Sequence, residues 1–482
     1  MSQSKIVFNG GIMKLASTLS CLFLYVLLRS VSSGLASETR PIVNDISRLN
    51  PIPVKQILEP RTVEDIKNAV RNHKGPISIG GGRFSMGGQT ATENSLQIDM
   101  RTLNKVIKLD PNERKITVQA GIRWRDIQEE IDKHNLAIKI MQTYANFTVG
   151  GSLSVNAHGR YIGEGPLVRS VDSIKIVLAD GNEVTASPNL NKEIFFAAIG
   201  GYGGIGVITE ASLNLVANEK LERKTHQLKI KDYRKYFMDS IRDNRNVVLH
   251  NGDLYPPKYD DVRVETWVRT DKPLTVSKRL ISRDQKYWLE PNAISAMSSL
   301  PFGAQLRSTI LDPMIKSQER VVWRNYEASY DVGMLEPTTP RLLWTYVLQE
   351  YFIPIDQFDA FIPKLAGILQ EHAVQVINVS IRHALPDPGT LLAWAPQEVF
   401  SFVVYYKQGM TKAAQTKVAQ WTRKLIDEAL VLGGSYYLPY QIHARHKQFK
   451  KAYPGHSTFF KIKRQLDPTN KFRNKLWDAY LQ

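Results

Sequence analysis

Cysteine is almost absent from this chain of 482 residues, because Cys21 is the only one. A single cysteine excludes an internal disulfide and a metal site built from cysteine ligands. Cys21 lies in an apolar segment near the N-terminus. If that segment is removed from the mature protein, a cysteine nucleophile and a cofactor linked through cysteine are excluded as well. We predict no metal site.

Long apolar runs are also scarce, and the longest candidate covers residues 15–28. It is shorter than the roughly 20 residues of a transmembrane helix but typical of the apolar region of a secretory signal peptide. Lys14 precedes the run, Arg29 follows it, and residues 34–36 (Gly-Leu-Ala) fit a cleavage site. We therefore predict that residues 1–36 direct export, either as a signal peptide of a periplasmic protein or as an uncleaved membrane anchor.

The sequence lacks the ligand spacing of a zinc finger and the signature of an RNA-recognition motif. Its formal net charge is nevertheless +17. The lysines and arginines are scattered, apart from runs at residues 445–451 and 461–464. We predict no nucleic-acid partner, and we interpret the excess charge either as a solvated basic surface or as a surface that associates with an anionic membrane.

The patterning divides the chain into regions. Residues 37–220 alternate between short strands and helices, with a β-hairpin at the Asp-Gly turn of residues 180–181. Residues 221–430 predict antiparallel strands plus helices, including a long helix at residues 411–430 that ends before two glycines. We therefore predict an α+β fold with a first domain at 37–220, a second at 221–430, and a C-terminal segment, 431–482, that returns to the first domain.

Three glycine-rich segments follow one another in the first domain: residues 80–88, residues 148–159 and residues 201–206. Consecutive glycines allow backbone N–H groups to converge on a phosphate because no Cβ atom intervenes. The third segment matches G-x-G-x-x-G, but a helical pattern precedes it and a strand pattern follows it. This order is the reverse of a Rossmann turn, so the segment does not predict nicotinamide binding.

Taken in order, the three segments resemble the PCMH-type FAD-binding domain of the vanillyl-alcohol oxidase superfamily. Residues 466–474 (Leu-Asp-Pro-Thr-Asn-Lys-Phe-Arg-Asn) are similar to the closing segment of that superfamily. The nearest families are the aldonolactone oxidoreductases of the gulonolactone and arabinonolactone types, the alditol oxidases and the decaprenylphosphoryl-ribose oxidases. The resemblance implies an FAD-binding domain of two subdomains, with residues 221–430 as the substrate-binding cap domain.

The resemblance also implies which residues bind FAD. The positions that match are Gly80, Gly81, Gly82, Arg83, Phe84, Ser85, Gly150, Gly151, Ser152, Asn156, His158, Gly159, Gly203, Gly206, Ile208 and Asn474. Many aldonolactone and alditol oxidases have a histidine at the position of Arg83, and that histidine is bonded covalently to the flavin. Since a guanidinium cannot form that bond, we predict noncovalent FAD, with Arg83 near the pyrophosphate as a charge partner.

On the substrate side, the resemblance implies two catalytic candidates, Arg382 and Tyr440, and strand alternation adds Lys407. Arg382 matches the arginine of a Glu-x-Arg strand motif, but Ser380 replaces the glutamate. Lys407 is a cationic candidate on a neighbouring predicted strand, where alternation puts it on the same face as Tyr405. Tyr440 occupies a position where the related enzymes have a lysine beside the flavin. The residue before His-Gly, here Ala157, would crowd O₂ at the flavin more than glycine does, which favours a quinone or cytochrome as the electron acceptor over O₂.

These features predict an FAD-dependent oxidoreductase that oxidises a CH–OH group of a sugar, polyol or sugar lactone by hydride transfer to the flavin. Two alternatives stay open. One is an oxidase of lipid-linked sugars of the decaprenylphosphoryl-ribose type, which export and positive charge favour. The other is a flavin-binding protein without catalysis, which the replacements at Ser380 and Tyr440 favour.

Overall fold

The computed structural model describes residues 40–286, 318–334 and 343–481. The predicted export segment, residues 1–36, lies outside these ranges. A search of the described residues for a helix with the length and hydropathy to cross a bilayer finds none.

The described strands are numbered here in chain order. They are β1 (Ile42–Val43), β2 (Ile52–Pro53), β3 (Gln56–Leu58), β4 (Ile77–Gly80), β5 (Leu96–Asp99), β6 (Val106–Asp110), β7 (Lys115–Gln119), β8 (Leu136–Ile138), β9 (Val171–Val177), β10 (Glu183–Ala186), β11 (Val207–Ala217), β12 (Lys220–Lys229), β13 (Val247–Leu254), β14 (Asp261–Arg269), β15 (Val321–Trp323), β16 (Trp344–Pro354), β17 (Val376–Ala384), β18 (Val399–Gly409) and β19 (Ser435–Tyr436).

The described α-helices are numbered in the same way. They are α1 (Val63–Asn72), α2 (Trp124–Ile131), α3 (Val149–Ser154), α4 (Lys192–Ala198), α5 (Ile230–Ser240), α6 (Arg324–Glu327), α7 (Phe358–Glu371), α8 (Lys412–Val431), α9 (His446–Ala452), α10 (His456–Leu466) and α11 (Lys475–Tyr480).

The first part of the chain forms a small parallel sheet in the order β3-β5-β4. Helix α1 connects β3 to β4, and its buried face carries Ile66 and Val70. A capping box begins this helix, because the Thr62 side chain accepts the Asp65 N–H while the Asp65 carboxylate accepts the Thr62 N–H. Strand β4 then runs directly into the first glycine-rich segment, so the parallel sheet positions that loop.

A second, antiparallel sheet has the order β10-β9-β11-β7-β6, and β8 pairs with the end of β11. The hairpin predicted at the Asp-Gly turn connects β9 to β10, and Gly181 there adopts a φ of +80°, which favours glycine. Strand β11 lies in the middle of the sheet and follows the third glycine-rich segment. A register shift in its pairing with β9, between Ile208 and Glu210, interrupts the regular alternation near that segment.

The rest of the chain builds an antiparallel sheet in the order β15-β12-β14-β13-β17-β18-β16-β19. The observed antiparallel strands plus helices confirm the predicted α+β class. Both faces of β16 and β18 are buried. Helices α7 and α8 pack on the back face, where they bury Phe358, Phe361 and Trp421. The front face is therefore the one available to the glycine-rich segments.

The C-terminal segment serves both domains. Strand β19 adds to β16 at the edge of the eight-stranded sheet. Farther along, the Ile77 N–H donates to the Lys471 carbonyl at 2.7 Å, and the Arg473 N–H donates to the Ile77 carbonyl at 2.9 Å. The end of the chain thus returns to β4, beside the first glycine-rich segment.

Candidate active site

A cavity with a volume of about 230 Å³ lies between the glycine-rich segments and the front face of the eight-stranded sheet. Strands β16, β17 and β18 and residues 437–440 contribute the wall on the sheet side. Most of the predicted cofactor-binding residues line the opposite wall. They are Gly81, Gly82, Arg83, Phe84, Ser85, Gly150, Gly151, Ser152, His158, Gly203, Gly206 and Ile208.

The first glycine-rich segment has no room for side chains at two of its glycines. A Cβ atom at Gly81 would lie 2.3 Å from a threonine hydroxyl of the second segment, and one at Gly82 would lie 2.6 Å from the Phe84 ring. Among the described residues, the backbone N–H groups of Arg83, Phe84 and Ser85 have no hydrogen-bond partner. Unpaired donors on a loop without obstructing side chains fit the phosphates of a dinucleotide cofactor.

Arg83 lines the cavity, but its charge is already partly balanced. Its Nη2 lies 2.9 Å from Asp99 Oδ2, and the same carboxylate also binds Arg101 at 2.6 Å. Burial acts to raise the pKa of Asp99, yet the Arg101 hydrogen bond and the charge of Arg83 hold that pKa below its ordinary value. The Nε of Arg83 has no partner among the described residues, so one donor of the guanidinium stays available to a ligand.

The second segment supplies helix α3 and His158. The helix begins where the Thr148 side chain accepts the Gly151 N–H at 3.3 Å. A Cβ atom at Gly150 would lie 2.9 Å from the Cβ of Ala120, so only glycine allows this approach to the end of β7. The His158 ring follows and packs against Trp394, with 4.9 Å between the ring centroids.

His158 is bonded to acceptors at both ring nitrogens. Its Nε2 lies 2.6 Å from Glu350 Oε1, and its Nδ1 lies 3.2 Å from the Gly159 carbonyl oxygen. A carbonyl oxygen only accepts hydrogen bonds, and so does an ionised carboxylate. Both ring nitrogens therefore take part in hydrogen bonds, and the shorter bond connects the second glycine-rich segment to β16.

Glu350 is the centre of a buried hydrogen-bonded cluster on the front face of β16. Its side chain is only 2% exposed. In addition to His158, the Ser401 hydroxyl donates to Oε1 at 2.5 Å, and the Tyr440 hydroxyl donates to Oε2 at 3.2 Å. Burial acts to raise the pKa of Glu350, but the charges of His158 and Arg382 and the Ser401 hydrogen bond hold it below its ordinary value. The carboxylate is thus ionised within the cavity wall.

Sequence reasoning did not identify Glu350. The available signal was a charged residue inside a strand whose other positions are mostly apolar or aromatic, because such a residue is buried only when it is paired. Its partners, however, come from positions 192, 51 and 90 residues away along the chain. No local pattern in the sequence connects these positions.

Arg382 and Tyr440, two of the predicted catalytic residues, line the cavity. The buried Nε of Arg382 has no hydrogen-bond partner among the described residues. Burial raises the pKa of Tyr440 well above its ordinary value, and the nearby charge of Glu350 adds to this effect, so the hydroxyl keeps its proton. The structure therefore brings a cation, a phenol and a carboxylate to one wall.

The register of the sheet puts Glu350 in line with Ser380, the serine that replaces the glutamate of the Glu-x-Arg motif. Ser380 on β17 lies opposite Val403 on β18, and Val403 lies opposite Glu350 on β16. Ser380 and Glu350 thus occupy the same cross-strand row, two strands apart. Arg382 lies in the next row on this face, opposite Ser401.

Lys407 is not among the residues that the structure brings together. Its ammonium lies 4.2 Å from the centroid of the Trp344 ring, near the end of β18, and it does not line the cavity. Burial lowers its pKa. Lys407 shares a face with Tyr405, as alternation predicts, but only Tyr405 reaches the cavity.

Four predicted cofactor-binding residues lie outside the cavity lining: Gly80, Asn156, Gly159 and Asn474. The Asn156 side chain donates to Asp387 at 2.7 Å and accepts the Val168 N–H at 3.0 Å. The Asn474 side chain donates to the Tyr202 carbonyl at 2.8 Å and caps α11. Both asparagines therefore hold neighbouring loops in position.

The third segment contacts the closing segment of the chain. A Cβ atom at Gly206 would lie 2.4 Å from the Val177 carbonyl oxygen, so this close approach requires glycine. The buried ammonium of Lys463 donates to the Gly204 carbonyl, the Phe472 carbonyl and Asp467 Oδ2, each at 2.9 Å. One buried lysine of α10 thus connects the backbone of this loop to the closing segment.

Comparison with known proteins agrees with this geometry. Residues 54–187 match the model of a family described as FAD binding domain, and residues 211–481 match the model of D-arabinono-1,4-lactone oxidase. The chain is 24% identical over 440 residues to L-gulonolactone oxidase of Bos taurus, covering 88% of this chain and 93% of that protein. It is 26% identical over 227 residues to mitochondrial L-galactono-1,4-lactone dehydrogenase of Arabidopsis thaliana, covering 46% and 36% of the two chains. It is 30% identical over 189 residues to cytokinin dehydrogenase 9 of Oryza sativa subsp. japonica, covering 37% and 36%.

Proposed function

The chain belongs to the D-arabinono-1,4-lactone oxidase family of FAD-dependent oxidoreductases, and we propose that it oxidises a CH–OH group of a sugar lactone. The observation that carries this proposal is the shared cavity. The segments that match the FAD-binding domain form one wall, and the polar residues of the eight-stranded sheet form the wall opposite. A substrate held by the sheet would therefore face the bound cofactor.

The bound FAD supplies the hydride acceptor for this oxidation. The first glycine-rich segment would hold its phosphates through the backbone N–H groups of residues 83–85. Arg382 would bind hydroxyl or carbonyl oxygens of the lactone, because its buried Nε lacks a partner among the described residues. Tyr346 and Tyr405 also line the cavity and offer aromatic surface to the C–H groups of a sugar ring.

Anaerobic reduction of the flavin tests the substrate class. The purified yellow protein would be mixed without O₂ with L-gulono-1,4-lactone, L-galactono-1,4-lactone and D-arabinono-1,4-lactone in turn. We expect at least one to bleach the flavin absorbance in the visible range. Bleaching by alditols or by a lipid-linked pentose alone would contradict the lactone assignment, and bleaching by none of these compounds would favour a flavin-binding protein without catalysis.

We propose that the FAD is bound noncovalently, since Arg83 occupies the position of the linking histidine. Acid precipitation of the protein tests this. All of the flavin absorbance should appear in the supernatant, and flavin that stays with the pellet would contradict the proposal.

We propose a quinone or cytochrome as the electron acceptor, with O₂ as the alternative. Ala157 supports this, because it is buried in the lining of the cavity, where its methyl group would restrict access of O₂ to the flavin. Stopped-flow mixing of the reduced protein with O₂ should show slow reoxidation, and Ala157→Gly should accelerate it. Fast reoxidation of the wild-type protein would establish an oxidase.

We also propose that the protein is exported, as the apolar segment at residues 15–28 suggests, and that its net charge of +17 favours association with an anionic membrane. Fractionation of cells that produce the full chain tests both points. Recovery in the cytoplasmic fraction at full length would contradict export, and failure to sediment with anionic vesicles at low salt would contradict membrane association.

A further inference from the structure

We propose that Glu350 is the catalytic base that takes the proton from the substrate hydroxyl, with Oε2 as the accepting atom. This inference rests on the proposed oxidation of a CH–OH group. Among the described residues that line the cavity, Glu350 is the only one with a carboxylate side chain. It also lies in the same wall as Arg382, the residue proposed to bind the substrate.

The hydrogen bonds of Glu350 distinguish its two oxygens. Oε1 receives two short bonds, from His158 at 2.6 Å and from Ser401 at 2.5 Å. Oε2 receives one longer bond, from the Tyr440 hydroxyl at 3.2 Å. Because each carboxylate oxygen offers two lone pairs, Oε2 keeps the greater capacity to accept a further hydrogen bond. Oε1 therefore anchors the side chain, and Oε2 is the atom that can receive a proton.

His158 acts on Glu350 as a positioning residue. It joins the second glycine-rich segment to β16, two parts of the chain that are 192 residues apart. The ring packs against Trp394, with 4.9 Å between the ring centroids, so the hydrogen bond to Oε1 holds the carboxylate in one orientation. The same contact fixes the carboxylate relative to the FAD-binding wall, which is what proton transfer coupled to hydride transfer requires.

The proposed step balances as follows. When FAD is bound, it would accept the hydride, with its two electrons, from the carbinol C–H bond that breaks. The O–H bond breaks, and its proton goes to Oε2 of Glu350, while a C=O bond forms in the product. The substrate is thus oxidised by two electrons and the FAD is reduced by two. Glu350 loses the proton to solvent before the next turnover, when the acceptor has reoxidised the FAD.

Glu350→Gln tests the assignment, because glutamine keeps the shape of the side chain and removes its basicity. We expect the variant to retain FAD and its visible spectrum, and its rate of anaerobic flavin reduction by the active lactone to fall by about 10²–10⁴-fold. The matched control is Glu398→Gln. Glu398 also binds a buried histidine, His383, at 2.7 Å. His383 follows Arg382 directly on β17, so it lies on the back face of the sheet, away from the cavity. The control should lose stability without losing the rate.

A second variant keeps the proposal testable if Glu350→Gln does not fold. Glu350→Ala opens space at the carboxylate, and added formate should restore flavin reduction by at least tenfold, whereas chloride at the same concentration should not. Restoration by a small carboxylate reports a missing base, since a residue with a purely structural role would not respond to it.

The outcomes separate the two proposals. A wild-type protein that none of the lactones reduces overturns the proposed function and this inference with it. A wild-type protein that is reduced, together with an FAD-loaded Glu350→Gln variant whose rate stays within fivefold, overturns the assignment of Glu350 alone. Absence of formate rescue in Glu350→Ala overturns it as well.

Discussion

The ion-paired glutamate on the back of the sheet, Glu398, provides a quantitative test of the structure that is independent of catalysis. The Arg242 guanidinium binds both of its oxygens, at 2.8 and 2.7 Å, and His383 Nε2 lies 2.7 Å from Oε1. The Arg242 and His383 hydrogen bonds lower the pKa of Glu398 from 4.5 to about 2. Glu398→Gln removes the charge and keeps the size of the side chain.

The expected loss follows from that shift. A carboxyl pKa lowered from 4.5 to about 2 corresponds to at most about 3 kcal/mol of unfolding free energy at pH 7. Because about a third of the Arg242 side chain is exposed, solvent screening reduces this, and we expect a loss of about 1–2 kcal/mol. Because folding lowers the pKa of this carboxyl group, the stabilisation is fully present above pH 4.5 and is lost as the pH falls through about 2.

Urea unfolding of the FAD-loaded wild type and of Glu398→Gln, followed by circular dichroism, measures this free energy at several pH values. The difference between the two proteins should be largest near pH 7 and should fall to roughly half or less by pH 3. A difference below about 0.5 kcal/mol at pH 7, or one that is the same at pH 3 as at pH 7, would refute the reasoning.

Three further predictions concern the cofactor wall and its supports. Gly206→Ala should lower the FAD content of the purified protein, because the new Cβ would lie 2.4 Å from a backbone carbonyl oxygen. The control is Gly367→Ala in α7, where the new Cβ meets nothing within 4 Å and should raise the unfolding free energy by about 0.5–1 kcal/mol. Equal loss of FAD in both variants would contradict this prediction. Lys463→Met should cost about 3–5 kcal/mol, measured by urea unfolding, since it leaves Asp467 buried without its cation; a loss below about 1 kcal/mol would argue against the buried pair. Tyr440→Phe should slow flavin reduction by only about fivefold, the equivalent of one hydrogen bond, and a loss as large as that of Glu350→Gln would make Tyr440 the base instead.

Much of the fold could be predicted because its signals are local. The Asp-Gly turn at residues 180–181 predicts a hairpin from two residues, and the 20-residue helix α8 is evident from its periodicity. The glycine-rich segments are evident for the same reason, since a backbone that approaches a ligand closely excludes side chains at that position. Predictions that rested on such features, the α+β class and the FAD cofactor among them, are confirmed.

The sheet side of the cavity was less predictable, because its residues depend on which strands become neighbours. Strand order places β18 between β16 and β17, and only this order puts Glu350 in the row of Ser380. Lys407 shows the converse. Alternation correctly assigned it to the face of Tyr405. Alternation does not show how far along the strand the cavity extends, and Lys407 lies past its edge.

The sequence by itself determined the α+β class, the family and the FAD cofactor, because the signals for each lie in residues that are close together along the chain. Only the tertiary structure decided that a carboxylate stands in the cavity at all. The cluster joins His158, Glu350, Ser401 and Tyr440 from four separate segments, and such a contact is a property of packing rather than of pattern. The serine that replaces the motif glutamate suggested a lost function, whereas the sheet places another glutamate in the same row.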